Sequence, residues 1–175
     1  MIKTFLVSCA LTCGLSITAC AQADEKLDAQ TAIDQLRFLV GYWAGDGTSY
    51  DLDTGTTKHY FDREHVRFDL DKNLLLINAS GQLNGKTTYQ LHTVIFYDVE
   101  AQHYVYTPYS GQRTPRPFTC ELTEVQQFIC LTAAKTYRLT FQRLPDKRWN
   151  EYGERLEDGV WRKTFETKLS PVPPN

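Results

Sequence analysis

LLLINASGQLNGKTTYQLHTVIFY, residues 74–97, contains the turn signal on which the fold prediction is built. Two strand-like runs flank Leu83-Asn84-Gly85: 74–82, which begins with four aliphatic residues, and 86–97, which is rich in β-branched and aromatic residues. Asn-Gly between two such runs predicts a tight β-hairpin, because the turn requires positive φ and these residues tolerate it. The centre of the chain is therefore predicted to be antiparallel β-structure.

Similar strand-like runs, separated by turn residues, continue on both sides of this hairpin. The ten predicted strands are 43–52, 57–69, 74–82, 86–97, 102–109, 116–122, 128–132, 136–143, 148–156 and 160–169. Before them, Ile33, Leu36, Leu39 and Val40 recur at helical spacing, which predicts a short amphipathic helix over 29–39. An antiparallel meander of this size removes its exposed edges most completely by closing into a barrel, and a two-sheet sandwich is the alternative fold.

Composition supports an all-β domain and argues against nucleic acid as a partner. Aromatic residues make up 13% of the chain, and such residues favour strands. The formal net charge is −2, from 19 basic and 21 acidic residues, which offers no electrostatic attraction to a phosphate backbone. The length predicts one domain, residues 29–170, followed by a short non-helical tail at 171–175.

The first 20 residues are typical of a bacterial lipoprotein signal peptide. Lys3 precedes an apolar stretch that is too short to span a bilayer, and Ile17-Thr18-Ala19 precede Cys20. This pattern resembles a lipobox, which implies that Cys20 is lipidated, with 21–28 as a tether. The expected location is the periplasmic side of the cell envelope, with the outer membrane favoured. Two alternatives remain: ordinary cleavage after Ala23, giving a secreted protein, and an uncleaved anchor.

Two cysteines remain in the predicted domain. Cys120 and Cys130 lie on neighbouring runs, and a hairpin centred near Val125 would place them opposite each other. Directly opposed residues are close enough for a disulfide, which an exported protein would retain. Two buried free thiols are the alternative.

Several segments together resemble a known group of proteins. They are Phe38–Gly45 (FLVGYWAG), Val94–Asp98 (VIFYD), Tyr104–Tyr106 (YVY), Trp149–Glu154 (WNEYGE) and Asp158–Arg162 (DGVWR). Over residues 33–169 the chain looks like secreted bacterial β-barrel domains without an established function, which are distant relatives of lipocalins, fatty-acid-binding proteins and nitrobindins. The resemblance implies a ten-stranded barrel with a lumen.

The nitrobindin resemblance raises haem as a possible cofactor. Nitrobindins coordinate haem iron through a His near the C-terminus, but residues 135–175 of this chain contain no His. The matching ligand is missing, so no haem or other cofactor is predicted.

The remaining polar patterns do not predict a catalytic or metal site. His59 and His65 share one strand but lie about 20 Å apart at the rise of an extended chain, and His92 with His103 lacks a third ligand. Surface exposure is the expected state of all four histidines. Three acids near the last hairpin, Glu151, Glu154 and Glu157, are expected to form ion pairs with neighbouring basic residues on a solvated face.

A candidate ligand site rests on aromatic and arginine side chains. Tyr104 and Tyr106 alternate along one strand and should point the same way, whereas Arg138 projects opposite to its aromatic neighbours. The loop 108–117, which contains Arg116, is expected to overhang one mouth of the barrel. The predicted ligand-binding residues are Trp43, Tyr104, Tyr106, Arg116 and Arg138. The alternative is that these side chains fill a solid core.

These observations favour a binding protein that holds a small apolar or amphipathic molecule in its lumen. One alternative is a filled barrel whose surface contacts another envelope component. An enzyme is less favoured, because no nucleophile and base can be paired from the sequence.

Overall fold

The computed structural model describes residues 26–111, 113–123 and 127–174. The predicted signal peptide, Cys20 and most of the tether lie outside these residues. The elements are α1 (Ala29–Gln35), a 3₁₀ turn (Leu36–Leu39), β1 (Gly41–Tyr50), β2 (Thr57–Asp69), β3 (Leu74–Leu83), β4 (Lys86–Asp98), β5 (His103–Tyr109), β6 (Phe118–Leu122), β7 (Gln127–Thr132), β8 (Tyr137–Arg143), β9 (Trp149–Glu157) and β10 (Val160–Pro171).

The ten strands form a closed antiparallel barrel in which each strand pairs with its sequence neighbours. The barrel closes where β10 pairs with β1, from Trp43 opposite Pro171 to Ser49 opposite Phe165. This arrangement confirms the predicted barrel over the sandwich. At the β3–β4 turn, Asn84 and Gly85 have φ values of 52° and 73°, as the Asn-Gly signal predicts.

The short helix closes one end of the barrel. Asp28 caps its N-terminus by accepting a hydrogen bond from the Thr31 backbone N–H at 2.9 Å. Ile33, Leu36 and Leu39 are fully buried against the barrel interior. The Tyr104 hydroxyl donates a hydrogen bond to the Ala32 carbonyl at 2.8 Å, and this bond connects the helix to β5.

The half of the barrel next to the helix is a packed aromatic core. Trp149 contacts Trp43 at 5.5 Å between ring centroids and Phe141 at 6.0 Å. Tyr104 packs edge-on against Phe128 at 5.3 Å. Burial of these large rings is the main favourable contribution to the stability of this half.

Cys120 and Cys130 are joined by a disulfide that links β6 to β7. The two residues are directly paired in the register, with Cα atoms 4.0 Å apart. Both side chains belong to the packed core, with exposures of 2% and 0%. The disulfide therefore crosslinks the hairpin from inside the barrel.

No helix in the described part of the chain is long and apolar enough to cross a membrane.

Candidate functional site

The half of the barrel away from the helix contains a cavity of about 750 Å³, here called the lumen cavity. Its volume is within the range of small-molecule sites in proteins. Its walls are largely apolar and aromatic: Ile77, Ala79, Leu83, Leu91, Tyr106, Phe141 and Phe165. The interior is therefore neither fully filled nor an open channel, because the packed core closes its inner end.

Strand β2 supplies a row of polar side chains from the mouth of the cavity to its floor. Lys58, Tyr60, Asp62 and Glu64 alternate along the strand, so all four point inward. Their burial follows their depth, since Lys58 is exposed while Asp62 and Glu64 are 2% and 6% exposed. Two acids are thus held deep in the barrel.

Glu151 joins these two acids from a strand that β1 and β10 separate from β2 in the barrel. It lies on β9, opposite Thr167 of β10, and is 9% exposed. We call Asp62, Glu64 and Glu151 the carboxyl cluster. Among the described residues, no group of three or more His, Cys, Asp or Glu side chains is arranged to hold a metal ion.

Inward glycines make room for the rings around the carboxyl cluster. A Cβ at Gly47 would overlap the ring of Tyr60, whose hydroxyl lies 2.8 Å from the Thr167 hydroxyl on the next strand but one. A Cβ at Gly81 would overlap the ring of Tyr89 in the same way. Tyr60 and Tyr89 pack edge-on at 5.8 Å, so their hydroxyl-bearing rings form one wall of the cavity.

Burial shifts the proton equilibria of all three acids upward. It raises the pKa of Asp62 to about 6, against the opposing effect of the Tyr89 hydroxyl that faces it. Burial, followed by the charge of Asp62, raises the pKa of Glu151 to about 8. Burial also raises the pKa of Glu64 well above its usual value, and the charges of Glu151 and Asp62 add to this effect.

Glu64 and Glu151 are neighbours in the carboxyl cluster, and each shifts the pKa of the other. Their contact raises the pKa of Glu64 and lowers that of Glu151, as expected when a protonated Glu64 donates to Glu151. At neutral pH the pKa of about 6 leaves Asp62 mainly ionised and the pKa of about 8 leaves Glu151 mainly protonated, while the upward shift of the Glu64 pKa favours its protonated form. The cluster therefore combines one buried negative charge with two carboxyl groups that can lose protons.

The structure distributes the five predicted ligand-binding residues over three environments. Tyr106 lines the lumen cavity. Trp43 and Tyr104 belong to the packed half, where Trp43 donates to the Leu39 carbonyl at 2.8 Å and Tyr104 holds the helix. Arg116 is exposed in the loop before β6. The loop does reach the mouth of the cavity, but through Ser110, Gly111 and Arg113.

Arg138 requires a correction, because it lies on the outside of the barrel. Its neighbours Tyr137 and Leu139 point inward, so the two-residue period of β8 turns Arg138 outward. There it donates to Glu154 at 2.6 Å and lies over the Trp161 ring at 4.4 Å. It is part of an outer-face ion pair and does not reach a ligand in the lumen.

Glu151 also differs from its expected place on a solvated face. The expected ion pairs do form at Glu157, with Arg155 at 2.5 Å, and at Glu154, with Arg138, although Glu154 itself is only 8% exposed. Glu151 lies two positions after Trp149 and two positions before Gly153, so all three residues face the interior. The sequence interpretation treated these acids as one group, although the three-residue spacing of Glu151 and Glu154 assigns those two side chains to opposite faces of the strand.

All four histidines point away from the lumen. His59 and His65 alternate with the inward residues of β2, and His65 stacks on Tyr42 at 4.1 Å. His92 pairs in register with Tyr109 and His103 with Asp98, so these two are not cross-strand neighbours. The lumen therefore offers no imidazole to a haem iron.

Comparisons with known proteins identify the fold alone. No protein family model matches the chain, and no curated protein matches it. Fourteen chains of solved structures match, among them the crystal structure of Rv2717c from M. tuberculosis. That match has a TM-score of 0.60 and 13% sequence identity, and it covers 83% of this chain and 100% of the other. At this identity the similarity concerns the barrel and carries no assignment of activity.

Proposed function

We propose that this protein binds a small amphipathic molecule in the lumen cavity and that lipid on Cys20 holds it at the periplasmic side of the cell envelope. The observation that carries the binding proposal is the division of the interior. One half is packed with aromatic rings, whereas the other retains a cavity of about 750 Å³. Side chains fill the packed half of this same barrel, so the smaller and polar side chains of the other half are what leave the cavity open.

The lining supports an amphipathic ligand over a purely apolar one. Most of the exposed area of the wall is apolar, whereas the buried carboxyl cluster and the Tyr60 and Tyr89 hydroxyls supply polar groups. Few polar groups converging in a mostly apolar cavity are typical of small-molecule sites, where they orient the ligand. Buried polar groups of this kind are costly unless a partner satisfies them.

Filling the cavity is expected to abolish ligand binding. Ala79 lies on β3 and lines the cavity, so Ala79→Phe should occupy the space that a ligand needs. The measurement is a fluorescence titration with N-phenylnaphthylamine, a neutral probe that brightens in apolar surroundings. Wild type should bind with a Kd in the micromolar range. Ala79→Phe should bind at least roughly tenfold more weakly, because the phenyl ring takes the place of the probe and the apolar contacts that the probe loses contribute more than about 1.4 kcal/mol.

The matched control is Ala134→Phe, the same change at an exposed position in the β7–β8 turn. This variant should bind the probe like wild type. Equal binding by all three proteins would place the probe outside the lumen and contradict the proposal.

Lipid attachment is expected to depend on Cys20. Cells expressing the full chain are labelled with an alkyne-bearing fatty acid, and the protein is examined by gel fluorescence and intact mass. Wild type should carry the label, and Cys20→Ala should not. Cys13→Ala, a change within the same signal segment, is the control and should remain labelled. An unlabelled wild-type protein beginning at Asp24 would instead indicate ordinary signal cleavage.

A further inference from the structure

We propose that the ligand of the lumen cavity is a cationic amphiphile whose protonated amine binds the carboxyl cluster. This inference rests on the proposed function and specifies its ligand class. It begins with Asp62, which is 2% exposed and lines the cavity. Its Oδ1 atom has no hydrogen-bond partner among the described residues. An unsatisfied buried carboxylate oxygen is costly, so it marks a position where a donor is missing.

None of the ion pairs formed by the described residues includes Asp62, Glu64 or Glu151. The titratable groups that face the cluster are hydroxyls: Tyr60, Tyr89, Tyr106 and Tyr137. Burial raises the pKa of each of these tyrosines, so they stay neutral and contribute no positive charge. The protein therefore supplies acids at this depth without the cation that usually accompanies buried acids.

Two cations line the cavity, but at its mouth. Lys58 lies four residues before Asp62 on β2, or about 13 Å away at the rise of an extended strand. Arg113 is exposed in the loop after β5. Charges in contact with water at such a separation are largely screened at physiological salt. Neither side chain forms a salt bridge with the carboxyl cluster.

A primary ammonium has the donors that this site lacks. It presents three N–H groups, one for each carboxyl group of the cluster, and its charge favours the ionised acids. A carboxylate or phosphate ligand would instead meet a buried negative charge of the same sign. The hydrocarbon part of the ligand would pack against Ile77, Leu91 and Phe165 along the wall. The cavity thus selects for an apolar body with a positive end.

The test is calorimetric titration of the full-length protein with three ten-carbon compounds: decylamine, decanol and decanoate. Decylamine should bind roughly ten- to a hundredfold more tightly than decanol, the range expected for hydrogen bonds to charged groups. Decanoate should bind more weakly than decanol. Asp62→Asn should reduce the preference for decylamine over decanol to near unity, whereas Glu121→Gln, which changes an exposed acid, should leave it intact.

Binding of the amine should also depend on pH. A cation favours the ionised cluster, so its binding should release protons, and the measured enthalpy should vary with the ionisation enthalpy of the buffer. Affinity should rise between about pH 5 and pH 8 as Asp62 and Glu151 lose protons. Decanol affinity should not rise in this way.

The outcomes separate this inference from the proposed function. If none of the three compounds binds, the proposed function itself is contradicted. If decanol or decanoate binds as tightly as decylamine, or if decylamine binding is independent of pH and of Asp62→Asn, the cationic class is overturned while lumen binding stands. The comparison among ligands uses wild type alone, so it remains decisive even if Asp62→Asn does not fold.

Discussion

Raising the pH from about 5 to about 8.5 is expected to lower the free energy of unfolding by several kcal/mol. The cause is the carboxyl cluster, whose acids have higher pKa values in the folded state than their ordinary values of 3.8 and 4.5. At a pH between the ordinary pKa of an acid and its raised pKa in the folded state, the folded protein holds a proton that the unfolded chain has lost. Stability therefore falls as pH rises. The contribution is fully present below the ordinary pKa and is lost as pH passes about 6 for Asp62 and about 8 for Glu151.

The size of the effect follows from the upward shifts. Each pKa unit corresponds to ~1.4 kcal/mol, and the combined loss is on the order of 5 kcal/mol once coupling among the acids is allowed for. Exposed acids such as Asp28 and Asp51 have lowered pKa values and are already ionised above pH 5, so they do not contribute in this window.

Chemical denaturation at a series of pH values measures this dependence. Glu151→Gln removes one titrating group without changing its volume, so the slope of stability against pH should become shallower. Glu121→Gln, an exposed acid, should retain the wild-type slope. A wild-type stability that is constant or increases from pH 5 to 8.5 would contradict the assignment of buried protonated acids.

Truncation of Trp149 is expected to be the most damaging single change in the packed half of the barrel. Its side chain is fully buried and contacts Trp43 and Phe141. Its Nε1 atom has no hydrogen-bond partner among the described residues, so the loss in Trp149→Ala is one of packing. We expect a decrease of about 3–5 kcal/mol in the free energy of unfolding, typical of a large aromatic replaced by alanine in a core.

Trp161→Ala is the matched control on the adjacent strand. Trp161 is half-buried on the outer face, where it contacts Arg138. Its loss should cost about 1 kcal/mol or less, the value of a partly exposed cation–π contact. Urea titration of both variants tests the difference. Equal losses would mean that the interior near Trp149 is not the packed layer described above.

The architecture was largely predictable because it depends on local signals that repeat along the chain. Turn residues such as Asn84-Gly85 separate runs of strand-forming residues, and nearest-neighbour pairing follows from short connections. The opposition of Cys120 and Cys130 was predictable for the same reason, since a hairpin fixes which residues face each other.

The candidate site was not predictable to the same degree. Along β2, the outward residues His59, Arg63 and His65 are as polar as the inward residues Asp62 and Glu64, so alternation of polarity does not identify the buried face. The available signal was Val66, an apolar residue that is buried in the structure and lies two residues after Glu64. Because side chains alternate along a strand, Val66 and Glu64 lie on the same face. Glu151 comes close to Glu64 only when the barrel closes, and local sequence patterns do not predict such a tertiary contact.

Native mass spectrometry of the protein purified without denaturation from its own cell envelope, beside Ala79→Phe prepared identically, tests whether the lumen cavity holds a ligand. We expect wild type to carry a small molecule that collisional activation releases, and Ala79→Phe to lack it. The same bare protein mass in both preparations, together with no binding of any added amphiphile, would contradict the assignment of the lumen cavity as a ligand site.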